Sequence, residues 1–207
     1  LRKKYSELFD EKNKESFLDK IRTINKQVKL IEKLVNEFSD FARMPKPIFK
    51  KNELNKIIKD SINLMKINDK DIAINFSSKN VYYVNSDIEQ LNRVFINLFK
   101  NSIESLKEKD EKMGDFQKKI DVEIQLINDY INIFVQDNGI GFTNNDIRMF
   151  SKPYFTTKKE GSGLGLSIVE KIINDHNGFV EFISQKEGAK IKILLPRYVN
   201  WNFDNWW

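Results

Sequence analysis

Phe17, Ile21, Ile24, Val28, Ile31, Val35 and Phe38 follow one another at alternating steps of four and three, and Leu34 and Phe41 widen the same stripe. A helix with this spacing carries a continuous apolar seam of the coiled-coil kind. It cannot bury that seam alone, so it predicts partner helices. The residues ahead of it, LRKKYSELF, read as the tail of an earlier helix that turns through DEKNKES. That makes a helical hairpin whose dimer would close a four-helix bundle. A single helix docked along its own domain is the other arrangement the periodicity permits. Pro45 and Pro47 stop the seam, because proline has no N–H to donate and pushes the residue before it into an extended conformation. The chain of 207 residues thus divides into a hairpin over 1–44, a second domain over 45–196 and an aromatic tail over 197–207.

Past the prolines the apolar period alternates between that of strands and that of helices. A short strand is expected near Ile48, then a helix over Asn52–Lys66 with Leu54, Ile57, Ile58, Ile62 and Met65 on its apolar side. Strands are expected over Ile72–Phe76 and Val81–Val84. A helix over Asp87–Leu106 buries Leu91, Val94, Phe95, Leu98, Ser102 and Ile103, with Asp87 as its cap. The charged run KEKDEKMGDFQKK, Lys107–Lys119, reads as a solvated loop ahead of a strand over Ile120–Ile127. Tyr130, Ile131, Ile133 and Val135 form another strand, and strands over Phe179–Ser184 and Lys190–Leu195 complete the sheet. The fold class is α+β: a two-layer α/β sandwich, its mixed sheet covered on one face by helices.

The chemistry is concentrated between Asp137 and Leu166, in DNGIGF, FSKPYFTTK and GSGLGL. Asp137 ends a strand and can only accept hydrogen bonds, which suits an exocyclic adenine amine. Gly139 and Gly141 allow positive φ and close backbone approach to a ligand. The glycines of GSGLGLSIVEKII run straight into an apolar helix, whose first N–H groups are free for an anion such as phosphate. Upstream, Asn97 and Asn101 are four apart and share a helix face. Their amide oxygens are hard ligands suited to Mg²⁺ and a triphosphate.

In this order NLFKNSIES, DNGIGF, FSKPYFTTK and GSGLGL resemble the N, G1, F and G2 boxes of sensor histidine kinases, a likeness that covers residues 46–196. It implies the ATP-binding fold shared with type II topoisomerases and MutL proteins, and it implies roles. Asn101 would coordinate the Mg²⁺ that bridges the phosphates, with Asn97 one turn earlier on the phosphate side. Asp137 would accept from the adenine amine, and Gly139 and Gly141 would shape the start of a lid. Thr157 and Lys158 would reach phosphate as the lid closes, with Phe150 and Tyr154 anchoring it. Gly161, Gly163, Leu164 and Gly165 would bring backbone against the phosphates. NEFSDFARMPKP, Asn36–Pro47, is similar to the end of the second dimerisation helix in NtrY-type nitrogen-regulation kinases. Hydrolytic members of the fold place a glutamate base four residues before the Mg²⁺ asparagine. Here that position is Asn97, which cannot take a proton, and Glu104 reads as an exposed charge, so transfer to a protein group is favoured over hydrolysis.

One element of the family pattern is missing. The only histidine is His176, which reads as the end of a helix before a Gly178 cap, bonded to free carbonyls. The resemblance therefore implies a fragment that begins with the tail of the acceptor-bearing helix and cannot label itself. The intact protein would pass the γ-phosphoryl of ATP to an upstream histidine and on to a response-regulator receiver domain. It would act as a homodimer anchored in the bacterial inner membrane, with this part on the cytoplasmic side. Two alternatives stay open: a non-catalytic nucleotide-binding dimerisation module and an ATP-hydrolysing clamp. A net charge of +5, from 35 basic and 30 acidic residues without basic clustering, excludes a nucleic-acid groove binder. The absence of cysteine suits a reducing compartment. No apolar run approaches the ~18 residues of a membrane helix. In the tail, Trp201, Phe203, Trp206 and Trp207 are expected to pack back over the domain, a docking patch being the other use for them.

Overall fold

The structure, a computed structural model, describes residues 11–69, 71–142, 149, 152, 155–156 and 162–199. The chain divides into two compact units, one carrying the first helix and the other running from Pro45 to Phe155 and from Gly163 onward. That first helix, α1, spans Glu11–Ala42. It is unbroken, so residues 11–16, expected to turn, are helical instead: EKNKES holds neither Gly nor Pro to interrupt it. The expected arm of the hairpin before it lies outside the described residues. Along α1 the seam residues Ile24, Val28, Ile31, Val35 and Phe38 are 49% to 58% exposed.

The larger unit contains β1 (Lys50–Glu53), α2 (Leu54–Asn68), β2 (Ala73–Ser78), β3 (Tyr83–Ser86), α3 (Ile88–Met113), β4 (Lys119–Ile127), β5 (Tyr130–Asp137), α4 (Gly165–Asp175), β6 (Phe179–Ser184) and β7 (Ala189–Pro196). Five strands form one mixed sheet in the order β2-β4-β5-β7-β6, with β2 parallel to β4 and the other pairs antiparallel. β1 and β3 pair with each other in a separate two-stranded ribbon. The strand expected near Ile48 therefore starts at Lys50, and the one expected over Val81–Val84 lies outside the main sheet.

Alternation along the strands decides which face is covered. Ile120, Val122 and Ile124 of β4, Ile131, Ile133 and Val135 of β5, and Ile191, Ile193 and Leu195 of β7 are buried, and register sets Ile133 between Ile124 and Ile193. Against them pack Leu54, Ile57 and Ile58 of α2, Leu91, Val94, Phe95, Leu98 and Phe99 of α3, and Ile168, Val169, Ile172 and Ile173 of α4. α3 lies between α2 and α4. Each fully buried aliphatic side chain contributes about 1.5–3 kcal/mol, so this face anchors the elements that carry the site.

α3 begins where expected. The Asp87 carboxylate accepts from the N–H groups of Glu89 and Gln90 at 3.0 and 3.1 Å. It does not end where expected, because the run taken as a loop is helical to Met113 and stops at Gly114, φ +84°, whose N–H bonds the Asp110 carbonyl. The charges that made the run look solvated support the extra turns: Lys112 pairs with Glu108, and Lys118 with both Asp110 and Asp71. Of the aromatic tail, Arg197–Val199 are described. The Tyr198 N–H bonds the Tyr83 carbonyl, and the Lys51 ammonium lies over both tyrosine rings. Trp201, Phe203, Trp206 and Trp207 are outside the described residues.

Candidate functional site

α3 passes the start of α4 at Asn97 and Asn101 and the turn after β5 at Ser105. On α3, Asn97 and Asn101 share one face, as their spacing requires. The Asn97 amide donates to the Arg93 carbonyl one turn back at 2.8 Å, which fixes its rotamer and leaves Oδ1 toward Gly165 at the start of α4. A Cβ on Gly165 would stand 3.3 Å from Asn97 Oδ1 and 3.7 Å from Asn101 Nδ2. A side chain at 165 would fit only tightly against the Asn97 amide and in ordinary contact with that of Asn101.

The N-cap residue of α4 has no side chain that can cap it, and no acidic residue occupies the first turn. Its N-cap is Leu164, fully buried, whose carbonyl accepts from the Ile168 N–H and the Ser167 hydroxyl. Gly163 before it takes φ +69°, a conformation that favours glycine. A helix N-terminus of this kind carries the partial positive charge that suits an anion.

Asp137 is 5% exposed at the end of β5. Its Oδ1 accepts from the backbone N–H groups of Gly139 at 3.0 Å and Ala189 at 3.3 Å, which aims the carboxylate and binds the turn after it to the start of β7. Asn138 faces the other way, accepting from the Lys119 N–H and donating to the Gln117 carbonyl, and so stitches the same turn to the start of β4. Asp137 is thus held on two sides by β-structure.

The sequence reading missed two residues that build this turn. Ser105 accepts from the Ile140 N–H at 3.1 Å, and a Cβ on Gly139 would lie 2.3 Å from its hydroxyl. The signal was present, since Ser105 extends the Asn97, Asn101 spacing by one more helical turn. Gly188 is the second: at φ +72°, a Cβ there would lie 1.8 Å from the Asp137 carbonyl, and the same residue backs Gly141. Nothing local marks it, because its partner is about fifty residues away in sequence. Thr157, Lys158 and Gly161, together with Phe150 and Tyr154, fall outside the described residues. Glu104 is exposed. Among the described residues, no group of three or more His, Cys, Asp or Glu could hold a metal ion.

His176 sits at the far end of α4, 2% exposed, with Nδ1 at 2.7 Å from the Ile172 carbonyl. The bond to a helix carbonyl is the one expected. The second bond is new: Nε2 accepts from the Asp87 backbone N–H at 3.0 Å, so the ring joins the end of α4 to the start of α3. Burial pushes its pKa below the ordinary 6.5, against the pull of the Ile172 carbonyl and of Asp87 and Asp175. The ring is therefore neutral and does not act on the helix dipole as a cation. Partial burial pushes the Asp87 carboxyl up, but the N–H groups of Ile48, Gln90 and Glu89 outweigh it and hold the pKa below the usual value.

Residues 86–199 match the family described as histidine kinase-, DNA gyrase B- and HSP90-like ATPases. A protein of Rickettsia felis, named as an NtrY-like sensor histidine kinase, is 35% identical over 88% of this chain and 30% of its own length. The nitrogen regulation protein NtrY of Azorhizobium caulinodans is 31% identical over 84% of this chain and 22% of its own. The chain thus spans less than a third of the length of either curated relative. The catalytic domain of histidine kinase ThkA superposes on 72% of this chain and 96% of that one, with a TM-score of 0.64 and 26% identity. ThkA in complex with response regulator protein TrrA covers 95% of this chain and 55% of that one, with a TM-score of 0.71 at 24% identity, a likeness of fold.

Proposed function

The chain belongs to the family of histidine kinase-, DNA gyrase B- and HSP90-like ATPases, and on that premise we propose that it is the ATP-binding catalytic part of an NtrY-type sensor histidine kinase. The observation that carries this reading is the approach of Gly165, at the start of α4, to the paired amides of Asn97 and Asn101. Backbone N–H groups and amide oxygens on facing helices suit a polyphosphate and a hard divalent ion that shares its ligands with it. Asn101, with no carboxylate cluster beside it among the described residues, fits a Mg²⁺ held largely by phosphate oxygens and water.

Bound ATP would supply the phosphoryl group, and Mg²⁺ would neutralise charge that builds up as it leaves. The residues of this chain bind and orient. Asp137, aimed by the Gly139 and Ala189 N–H groups, accepts from the adenine amine and so selects the base. Gly139, Gly141, Gly163, Leu164 and Gly165 would place backbone against the nucleotide, and the family resemblance assigns Thr157, Lys158 and Gly161, outside the described residues, to the phosphates. Asn97 is bonded to its own helix and carries no basic group, so no residue at that position activates a water. Hence the reading is transfer to a histidine rather than hydrolysis. The acceptor would lie upstream on a dimerisation helix that pairs with the exposed seam of α1. ThkA is named with a response regulator, and by that likeness a receiver domain would take the phosphoryl group from this kinase. The names of the relatives support a nitrogen-regulation sensor, and the reading places this part on the cytoplasmic side of an inner membrane.

The test is γ-labelled ATP given to the chain extended upstream through an acceptor histidine, beside the Asp137→Asn variant. Acid-labile, base-stable label on protein supports the kinase. The variant, which loses an acceptor for a buried amine, should bind nucleotide about 10-fold to 100-fold more weakly. Free phosphate without labelled protein would replace the reading with an ATPase. Nucleotide binding with neither product would leave a non-catalytic module.

A further inference from the structure

The segment Pro45–Phe49, which leads from the end of α1 into β1, is tied to the domain by one small group of contacts. The Ile48 N–H donates to Asp87 Oδ2 at 2.9 Å, and the Gln90 amide donates to the Pro45 carbonyl at 3.0 Å. The Phe49 ring stands edge-on to His176, centroids 5.2 Å apart. Asp87 is the centre: its carboxylate caps α3 and holds Ile48, while its N–H is held by His176. We propose that His176 is a positioning residue that, as the neutral Nδ1–H tautomer, fastens segment 45–49 to the helix pair α3 and α4, and that a proton on Nε2 unfastens it.

The tautomer follows from the neighbours. The Ile172 carbonyl only accepts, so Nδ1 carries the proton, and the Asp87 N–H only donates, so Nε2 is bare. A proton on Nε2 would set two donors against each other at 3.0 Å. The charged groups that face the ring are Asp87 and Asp175, and Asp175 is already paired with Lys171 at 2.9 Å. Asp87 could turn its carboxylate to the new cation only by giving up Ile48 or the capping bonds. Either response loosens the segment.

The helix pair links that event to the other end of the domain. α4 meets the start of α3 through His176, and its own start meets the middle of α3 through Gly165, so the two helices run antiparallel and are fastened at both ends. The attachment of the segment and the spacing of the Asn97 and Asn101 amides therefore depend on one packed unit. The consequence for nucleotide, unlike the fastening itself, rests on the function proposed above.

With one histidine in the chain, its imidazole signals need no assignment. The experiment is nitrogen-15 NMR of the whole chain from pH 7.5 to pH 5, with amide exchange of Ile48 and Asp87 read on the same samples. The expected result is Nδ1 protonated and Nε2 bare at pH 7.5, then protection at both amides falling about tenfold per pH unit as the pH drops below 6.5. His176→Gln offers an acceptor that cannot titrate, so its protection should not follow the proton. His176→Leu should be unprotected throughout. Phe49→Ala, which leaves the Asp87 bond intact, should expose Ile48 alone. An Nε2–H tautomer, protection indifferent to pH in the native chain, or Ile48 and Asp87 still protected in a folded His176→Leu overturns the proposal. If that variant does not fold, the contrast between native and Gln proteins decides. Adding a Mg²⁺–ATP analogue should raise Ile48 protection in the native chain. Absence of any binding would count against the nucleotide site, while the exchange data still decide the fastening.

Discussion

Gly188 governs the site more than its sequence surroundings suggest. Its positive φ, +72°, and the 1.8 Å that a Cβ would leave to the Asp137 carbonyl mean that alanine there cannot be accommodated by a side-chain shift, because the obstacle is backbone. Gly188→Ala should displace the turn that carries Asp137 and Gly139. The variant is expected to lose nucleotide binding and, with overpacking and strain of about 1–3 kcal/mol, to melt lower. Calorimetry with and without nucleotide checks both, and a native affinity in the variant would refute this account of the turn. At this scale the sequence was legible where function and local geometry coincide. Asn97 and Asn101 share the helix face that meets Gly165, and Asp137 ends β5, where the strand alternation puts it. Gly188 was not, because a close approach between strands β5 and β7 leaves no trace in either strand alone. Ser105 was legible in principle, by carrying the helical spacing one turn further.

At the level of elements, α3 shows why the boundaries were harder to read than the cores. Its buried face, from Leu91 to Leu106, is fixed by the apolar period, and its start by Asp87. Its last turn carries no apolar signal: it is held by Lys112 with Glu108 and Lys118 with Asp110, and only Gly114 marks the stop. Charge runs look alike whether they are helix or loop, since the partners that decide between them are read from the fold. The same helix gives a prediction at its other end. Asp87→Ala removes two capping bonds and the acceptor for Ile48. A cap alone is worth about 1–2 kcal/mol, which at about 2–4 °C per kcal/mol for a domain of this size should lower the melting temperature by about 2–8 °C. Asp87→Asn, which keeps an acceptor, should recover most of it. Equal losses in the two variants would mean that the charge, not the cap, is what α3 needs.

For the molecule as a whole, acid should act in two stages with separate origins. The pKa of His176 is depressed on folding, so the unfolded chain binds the proton more readily. The stability this gives is complete above about pH 6.5, the ordinary value, and is lost as the pH falls from there toward the folded pKa. The Asp87 carboxyl is also depressed, but from 3.8, so its contribution persists to much lower pH and is lost only as the pH falls below that value. Melting temperatures should therefore decline first as the pH falls below 6.5, then again as it falls below 3.8. His176→Gln should abolish the first decline and keep the second, and Asp87→Asn should keep the first and weaken the second, to which Asp71, held down by Lys118, also contributes. The two stages matter beyond stability because both groups hold segment 45–49. Under the proposed fastening, the attachment of that segment depends on one proton at the buried imidazole. If the first decline survives in the Gln variant, some other group titrates on unfolding and His176 is not the source.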